Sequence, residues 1–103
     1  MRQVVVRYKV KPGREAENEA LVRAVYEELE RRRPEGLRYA TFALEDGVSF
    51  LHLASIETEG ARSPFEGLVA FERFQDGIRD RCEEPPVVTE LRPVGTFRVF
   101  GET

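Results

Sequence analysis

The sequence predicts an α+β fold of the ferredoxin-like type, a βαββαβ chain whose four-stranded antiparallel sheet carries both helices on one face. Three observations predict it. Apolar residues change from a spacing of two to a spacing of three and four after Pro12-Gly13, Asp46-Gly47 marks a tight hairpin in mid-chain, and a second helical pattern follows Ser63-Pro64. The 103 residues are predicted to form a single domain.

The first strand is predicted from Gln3 to Lys11, where apolar residues at alternate positions would form one face of a pleated strand. Pro12-Gly13 ends it, because proline cannot extend a hydrogen-bond ladder. A helix is predicted from Arg14 to Arg33, since glutamates near its start and arginines at its end complement the helix dipole. Its buried stripe is predicted to be Ala20, Leu21, Ala24, Val25 and Leu29.

The second and third strands are predicted at Leu37–Glu45 and Val48–Ile56. Asp46-Gly47 joins them, because both residues tolerate the positive φ angles of a two-residue hairpin turn. Neither face of these strands is mainly charged, as a solvated face would be. Since the helices can cover only one face of the sheet, the other is expected to meet the sheet of a second copy.

The chain after the third strand is predicted to run as a loop from Glu57 to Ser63, a short turn at Pro64–Leu68 and a helix from about Val69 to Cys82. Residues 83–86, two glutamates and two prolines, are predicted to end this helix. Its buried stripe would be Phe71, Phe74, Gln75, Ile78 and Cys82.

The last strand is predicted in two pieces, Val87–Leu91 and Gly95–Val99. Pro93 lies between them and cannot donate to a sheet ladder, so it marks an edge position, a bulge or a break.

The amino-acid composition limits the classes of partner and the compartment that can be expected. The 16 basic and 19 acidic residues give a formal charge of -3, which argues against nucleic acid or an anionic membrane as a partner. Aromatic residues on the first and third strands, Tyr8 and Phe50, only faintly resemble the pattern of RNA-recognition domains. The single cysteine, Cys82, fits a reducing compartment, and no segment resembles a signal peptide or membrane span. A cytoplasmic protein is expected.

His52 is the one histidine of the sequence and is predicted to lie on the third strand among apolar residues. A neutral imidazole with a pKa near ~6.5 can accept a proton there, although a core histidine satisfied by hydrogen bonds would have the same pattern. Tyr8 and Tyr39 are candidates for orienting a substrate oxygen, or for core tyrosines with satisfied hydroxyls. The pattern leaves open which sheet face meets the helices.

Arg79, with Asp80 and Arg81, is a candidate cation for a carboxylate or phenolate ligand, or else part of a solvated helix charge. Cys82 is expected to be a buried thiol. The sequence contains no glycine-rich phosphate loop, no HExxH motif and no clustered histidines and cysteines, so no metal site of these kinds is predicted. Several aromatic residues could line a ligand cavity or fill a core: Phe50, Phe65, Phe71 and Phe74.

The chain resembles the dimeric α+β barrel superfamily, and within it the antibiotic biosynthesis monooxygenase-like group. The resemblance rests on the strand Val4–Val10, the turn Lys11-Pro12-Gly13-Arg14-Glu15 and the strand Phe50–Ile56. It implies a homodimer whose sheets join into a barrel, with a ligand pocket between sheet and helices in each subunit. Members include cofactor-free oxygenases, haem-degrading enzymes, isomerases and proteins of no known activity.

Two features depart from specific members of that superfamily. Haem-degrading members use a histidine on the second helix, and this chain has none between Pro64 and Cys82. Quinone-forming monooxygenases use a tryptophan near the pocket, and this chain has no tryptophan.

The resemblance implies a small-molecule-binding protein and, as one hypothesis, a monooxygenase that needs no cofactor and acts on a hydrophobic aromatic or polyketide-like substrate. His52 would be its base, and Tyr8, Tyr39 or Arg79 would bind a substrate oxygen. The alternative is a non-catalytic homodimer that binds a metabolite or serves a structural role.

Overall fold

A computed structural model describes residues 2–57 and 63–99. The chain forms one antiparallel sheet with the strand order β2-β3-β1-β4, which confirms the predicted ferredoxin-like arrangement. Most of the predicted Glu57–Ser63 loop lies outside the described residues. The elements are β1 (Arg2–Val10), α1 (Glu15–Arg32), β2 (Leu37–Ala43), β3 (Ser49–Ile56), α2 (Val69–Gln75), α3 (Ile78–Arg81) and β4 (Cys82–Leu91).

The register of the central strands, together with the buried core, shows which sheet face meets the helices. Tyr8 pairs with Phe50, and Val6 pairs with His52, across β1 and β3. Directly opposed residues share one face of a sheet. Tyr8 and Phe50 belong to the same buried cluster as Val25 of α1, so this inner face of the sheet lies under the helices.

Helix α1 buries a line of residues that includes two polar ones. Asn18, Val22, Val25 and Glu28 are its buried residues, whereas Ala20 is exposed. The predicted stripe is therefore wrong at Ala20 and omits Val22. Asn18 and Glu28 define the true line together with the valines, and a search for apolar periodicity alone passes over them.

The second predicted helix is broken at Gly77. Helix α2 ends at Gln75, and Gly77 adopts a left-handed conformation with φ 76° before the four residues of α3. A residue without a Cβ adopts this conformation at little cost, so the glycine turns the chain between two short helices.

Strand β4 begins at Cys82, five residues earlier than predicted, and so the prolines expected to end a helix lie within a strand. An edge strand tolerates them, because β4 pairs only with β1 and needs no donors on its open side. The register also shifts between Arg7 and Val10 of β1, where the strand accommodates these residues.

The second predicted piece of the last strand, Gly95–Val99, is not a strand. Pairing ends at Leu91, two residues before Pro93. The segment that follows is not strand and carries exposed apolar side chains, with Val94 at 89% and Phe97 at 81% exposure.

Glu28 explains how α2 begins without a capping side chain of its own. The residue before α2, Leu68, provides no side-chain hydrogen bond. The Glu28 carboxylate, only 4% exposed, instead accepts a hydrogen bond from the backbone N–H of Ala70 at 2.8 Å. An acceptor and a negative charge at a helix start satisfy a free N–H group and the helix dipole together.

We expect Glu28→Ala to lower the free energy of unfolding by about 1 kcal/mol, the usual cost of losing a helix cap. Urea denaturation measures this loss. The matched control is Glu30→Ala on the same helix, whose exposed ion pair with Arg33 contributes little. Equal losses of stability in both variants would contradict the capping role.

Candidate functional site

A cavity of about 400 Å³ lies between the inner face of the sheet and the segment from Phe65 to Ile78, which contains α2 and the start of α3. Apolar and aromatic side chains form most of its lining, and the polar groups on its sheet side belong to a histidine and two tyrosines. The sheet contributes Val6, Tyr8, Tyr39, His52, Ala54 and Val88, and the helical side contributes Phe65, Phe71, Phe74 and Ile78.

His52 is held on both sides of its ring. Its Nε2 lies 2.8 Å from the hydroxyl of Tyr8. Its Nδ1 lies 2.5 Å from the hydroxyl of Tyr39 and 3.1 Å from that of Thr41. Strand pairing sets this geometry, because Val6 on β1 and Thr41 on β2 are the residues opposite His52. Both imidazole nitrogens therefore have protein partners.

The hydrogen bonds continue from Tyr8 into the helices. Asn18 Nδ2 donates to the Tyr8 hydroxyl at 2.8 Å, and Arg81 Nε donates to Asn18 Oδ1 at 3.1 Å. Arg81 also donates through Nη2 to the backbone carbonyl of Phe74 at 2.8 Å. We call Arg81, Asn18, Tyr8, His52 and Tyr39 the buried hydrogen-bond chain.

Burial favours the neutral forms of His52, Tyr8 and Tyr39. It lowers the pKa of His52 to about 4, because a charged imidazolium would lose its hydration. Burial also raises the pKa of the Tyr8 and Tyr39 phenols, and at Tyr8 the hydrogen bond from Asn18 and the charge of Arg81 oppose this rise. The site therefore offers neutral donors and acceptors to a ligand.

Five of the predicted site residues line the cavity together: Tyr8, Tyr39, His52, Phe71 and Phe74. Phe65 also lines it and packs against two of these residues. Its ring stacks on Phe71 with centroids 4.4 Å apart and meets the edge of Tyr39 at 5.0 Å.

Two predicted ligand contacts lie elsewhere. Phe50 does not line the cavity but is buried beside Tyr8, with ring centroids 5.6 Å apart, and so supports the position of the phenol. Arg79 is exposed and does not line the cavity either. Within α3, Ile78 and Arg81 lie three residues apart on the inner side, where Arg81 is buried, whereas Arg79 lies on the outer side.

Sequence reasoning missed Asn18 and named Arg81 only beside Arg79 as a candidate cation for a ligand, not as part of an internal network. A signal was present for both: Asn18 lies four residues before Val22 on the buried side of α1, and Arg81 follows Ile78 by three residues. Helical neighbours at these spacings share a face. Polar residues in phase with a buried stripe are candidates for an internal hydrogen-bond network.

The described residues carry neither a metal-ligand cluster nor a membrane-spanning helix. Within 2–57 and 63–99, no group of three or more His, Cys, Asp or Glu side chains is placed to hold a metal ion. No helix in the same ranges is long and apolar enough to cross a membrane.

Solved structures share this architecture. A Nitrosomonas europaea protein assigned to the antibiotic biosynthesis monooxygenases superposes with a TM-score of 0.73 at 18% identity, over 92% of this chain and 100% of that one. The fold is that of the antibiotic biosynthesis monooxygenase-like group. The predicted resemblance to that group is thus confirmed at the level of the fold.

Two further structures give the same result. Rv0793 from Mycobacterium tuberculosis superposes with a TM-score of 0.70 at 18% identity, over 92% of this chain and 96% of that one. A variant of SnoaB, a cofactor-independent oxygenase from Streptomyces nogalater, superposes with a TM-score of 0.63 at 19% identity, over 92% and 94% of the two chains. No family model matches the sequence, and no curated protein does.

The low pKa of His52 predicts a stability that falls in acid. Between its ordinary pKa of 6.5 and its folded pKa of about 4, the unfolded chain binds a proton at His52 and the folded chain does not. Stability therefore rises with pH across this window, and the His52 contribution amounts to about 3 kcal/mol.

Urea denaturation at several pH values from 7 to 4 measures this dependence, with His52→Gln as the reference. The variant should lose less stability between pH 6.5 and 4 than the unaltered chain does, because glutamine does not titrate. Parallel curves for the two proteins would show that His52 is not kept neutral by burial.

Proposed function

We propose that this protein binds a hydrophobic aromatic or polyketide-like molecule in the cavity and oxygenates it with O₂ without a cofactor. The observation that carries the proposal is the placement of His52 between two tyrosine hydroxyls at the side of an aromatic-lined cavity. Cavities of this kind combine apolar burial with a few polar groups that fix a ligand's orientation. The shared fold with a cofactor-independent oxygenase supports the choice of reaction.

The aromatic side chains favour a flat ligand. Phe65, Phe71 and Phe74 present adjacent rings with centroids 4.4 and 6.3 Å apart along the helical side. Stacked and edge-on contacts between rings add to the free energy of apolar burial. An aromatic ligand in the cavity would extend this series of rings.

The reaction would begin with a proton transfer to the site. A substrate CH₂ group, acidified by an adjacent carbonyl or phenol, gives its proton to His52, through a tyrosine hydroxyl because both ring nitrogens are already bonded. The carbanion then transfers one electron to O₂, and the resulting radical pair combines to a peroxide. The proton returns from His52 to this peroxide, which loses water and leaves a C=O group.

The balance of this reaction is R₂CH₂ + O₂ → R₂C=O + H₂O. O₂ is the oxidant, and the protein supplies only proton transfer and exclusion of water. Although burial makes His52 a weak base, a substrate anion beside it would favour the imidazolium and raise its pKa.

The second candidate is a metabolite-binding protein without catalysis. The full set of hydrogen bonds around His52 favours it, because a histidine whose nitrogens are satisfied by the protein also suits a structural role. In that case the tyrosines would orient a ligand that leaves unchanged.

Oxygen uptake distinguishes the two candidates. With anthrone, a tricyclic ketone that carries an acidic CH₂ between its rings, we expect uptake of one O₂ per molecule converted to the quinone. His52→Gln should reduce the rate at least tenfold, since general base catalysis is typically worth 10²–10⁴-fold. Arg73→Ala on the exposed side of α2 is the control.

An unchanged rate in a folded His52→Gln protein would remove His52 from the mechanism. Tight binding of anthrone with no oxygen uptake above the uncatalysed rate would favour the non-catalytic candidate.

We also propose that two copies pair through the outer face of the sheet, the side away from the helices. This face carries Val5, Ala40, Leu51, Leu53 and Val87, and Val87 is 62% exposed. A trough of about 610 Å³ crosses it along β1 and β4. Arg7, Lys9 and Glu84 line the trough beside its apolar residues. Exposed apolar side chains on a sheet face favour association, and a second identical sheet can cover them.

Leu53→Glu should convert a dimer to a monomer in sedimentation velocity experiments, because each interface would bury two carboxylates without partners. Val69→Glu is the matched control, since Val69 is also an exposed apolar residue, at 47%, but lies on the helical side. A monomer before any substitution would contradict this pairing.

A further inference from the structure

The charged end of the buried hydrogen-bond chain sets its direction. The Nε of Arg81 only donates, so the Asn18 side chain must turn its oxygen toward it, at 3.1 Å. The amide nitrogen of Asn18 then faces Tyr8 at 2.8 Å, and it too only donates. The Tyr8 oxygen is therefore an acceptor from Asn18.

The proton of the Tyr8 hydroxyl then has one destination. Tyr8 is only 2% exposed, and the polar atoms that the structure describes around its hydroxyl are Asn18 Nδ2 and His52 Nε2. A buried O–H without an acceptor costs free energy, so Tyr8 donates to His52 Nε2. In a neutral imidazole the ring proton is then at Nδ1.

The protonated Nδ1 donates to Tyr39, whose oxygen lies 2.5 Å away, with Thr41 at 3.1 Å as a weaker second acceptor. The Tyr39 oxygen thus accepts from His52, and its own O–H turns elsewhere. The Thr41 hydroxyl also meets that of Tyr26, at 2.9 Å. Tyr39 lines the cavity, so its O–H can donate to a ligand oxygen there.

We propose that Arg81 and Asn18 are positioning residues that fix the His52 proton at Nδ1 and so make Tyr39 a hydrogen-bond donor to the ligand. The cavity then selects aromatic molecules that present a carbonyl or phenolate oxygen to Tyr39. This ligand assignment rests on the proposed function, whereas the position of the His52 proton does not.

The position of the proton can be measured without any ligand. Because the sequence has a single histidine, ¹⁵N labelling of histidine gives spectra of His52 alone. Long-range proton–nitrogen correlation spectra at pH 8 distinguish a protonated from a bare ring nitrogen. We expect the proton at Nδ1 in the unaltered protein and in the exposed control Arg73→Ala.

Asn18→Asp reverses the direction of donation in the buried hydrogen-bond chain while preserving the size of the side chain. Aspartate has no N–H, so its carboxylate accepts from Arg81 and from the Tyr8 hydroxyl together. The Tyr8 oxygen then accepts from His52, and we expect the ring proton at Nε2. A proton at Nε2 in the unaltered protein overturns the proposal, and so does a proton that remains at Nδ1 in a folded Asn18→Asp.

Ligand selection is tested with two bicyclic probes of the same shape, 1-tetralone, which has a carbonyl, and tetralin, which has none. Calorimetry or fluorescence titration should give about fivefold tighter binding of tetralone, the equivalent of one neutral hydrogen bond. Tyr39→Phe should remove this preference and keep the affinity for tetralin. Asn18→Asp should remove it as well, because Tyr39 then donates to His52.

A preference for tetralone that persists in Tyr39→Phe overturns the ligand assignment. If neither probe binds the unaltered protein, the aromatic-ligand proposal fails and the assignment with it. The spectra of His52, recorded without ligand, decide separately whether Arg81 and Asn18 fix its proton.

Discussion

The burial of one guanidinium determines much of this structure. Arg81 is 2% exposed, and its two described acceptors are an amide oxygen of α1 and the backbone carbonyl of Phe74 in α2. A buried charge requires such partners, because its lost hydration is otherwise uncompensated. Arg81 therefore holds both helices at fixed positions over β1. The Cζ atom of Arg81 lies 5.4 Å from the centroid of the Phe74 ring, which adds a cation–π contact.

The same requirement organises the cavity. Arg81 fixes the side chain of Asn18, Asn18 fixes the hydroxyl of Tyr8, and Tyr8 fixes one side of the His52 ring. No buried side-chain nitrogen or oxygen in the described ranges lacks a hydrogen-bond partner. A polar network that is fully satisfied in a low-dielectric interior is rigid, which suits a site that must present hydroxyl groups at defined positions. The aromatic residues of the helices complete the cavity without adding polar atoms.

The burial of His52 has a chemical consequence. Burial that holds His52 neutral at pH 7 keeps it ready to accept a proton and also weakens it as a base. The cavity resolves this conflict only when it holds a ligand that becomes anionic, since the new charge then compensates the imidazolium. An oxidisable carbon acid has this property, and a neutral metabolite does not. The distinction separates the catalytic proposal from the binding proposal.

The local pattern of the sequence determined the order of the elements and the apolar character of both sheet faces. Alternation of side chains, the turn at Asp46-Gly47 and the long amphipathic helix are short-range features, and they were enough for the fold class. The predicted two-residue form of that turn is wrong: the strands end at Ala43 and begin again at Ser49, and only Gly47 of the pair has a positive φ. The sequence also selected His52, Tyr8 and Tyr39 as candidates, because polar groups are conspicuous among apolar strand residues. It could not bring them together.

Tertiary structure decided the rest, because the relevant partners are distant in sequence. The pairing of β1 with β3 places Tyr8 beside His52, 44 residues away, and the packing of α1 joins Asn18 to Arg81, 63 residues away. The open edge of the sheet allows β4 to start before its prolines, and the packed helices supply the two acceptors of the buried Arg81 guanidinium. Periodicity reports which side of an element is apolar, whereas the partner of each buried polar group is set only when elements pack.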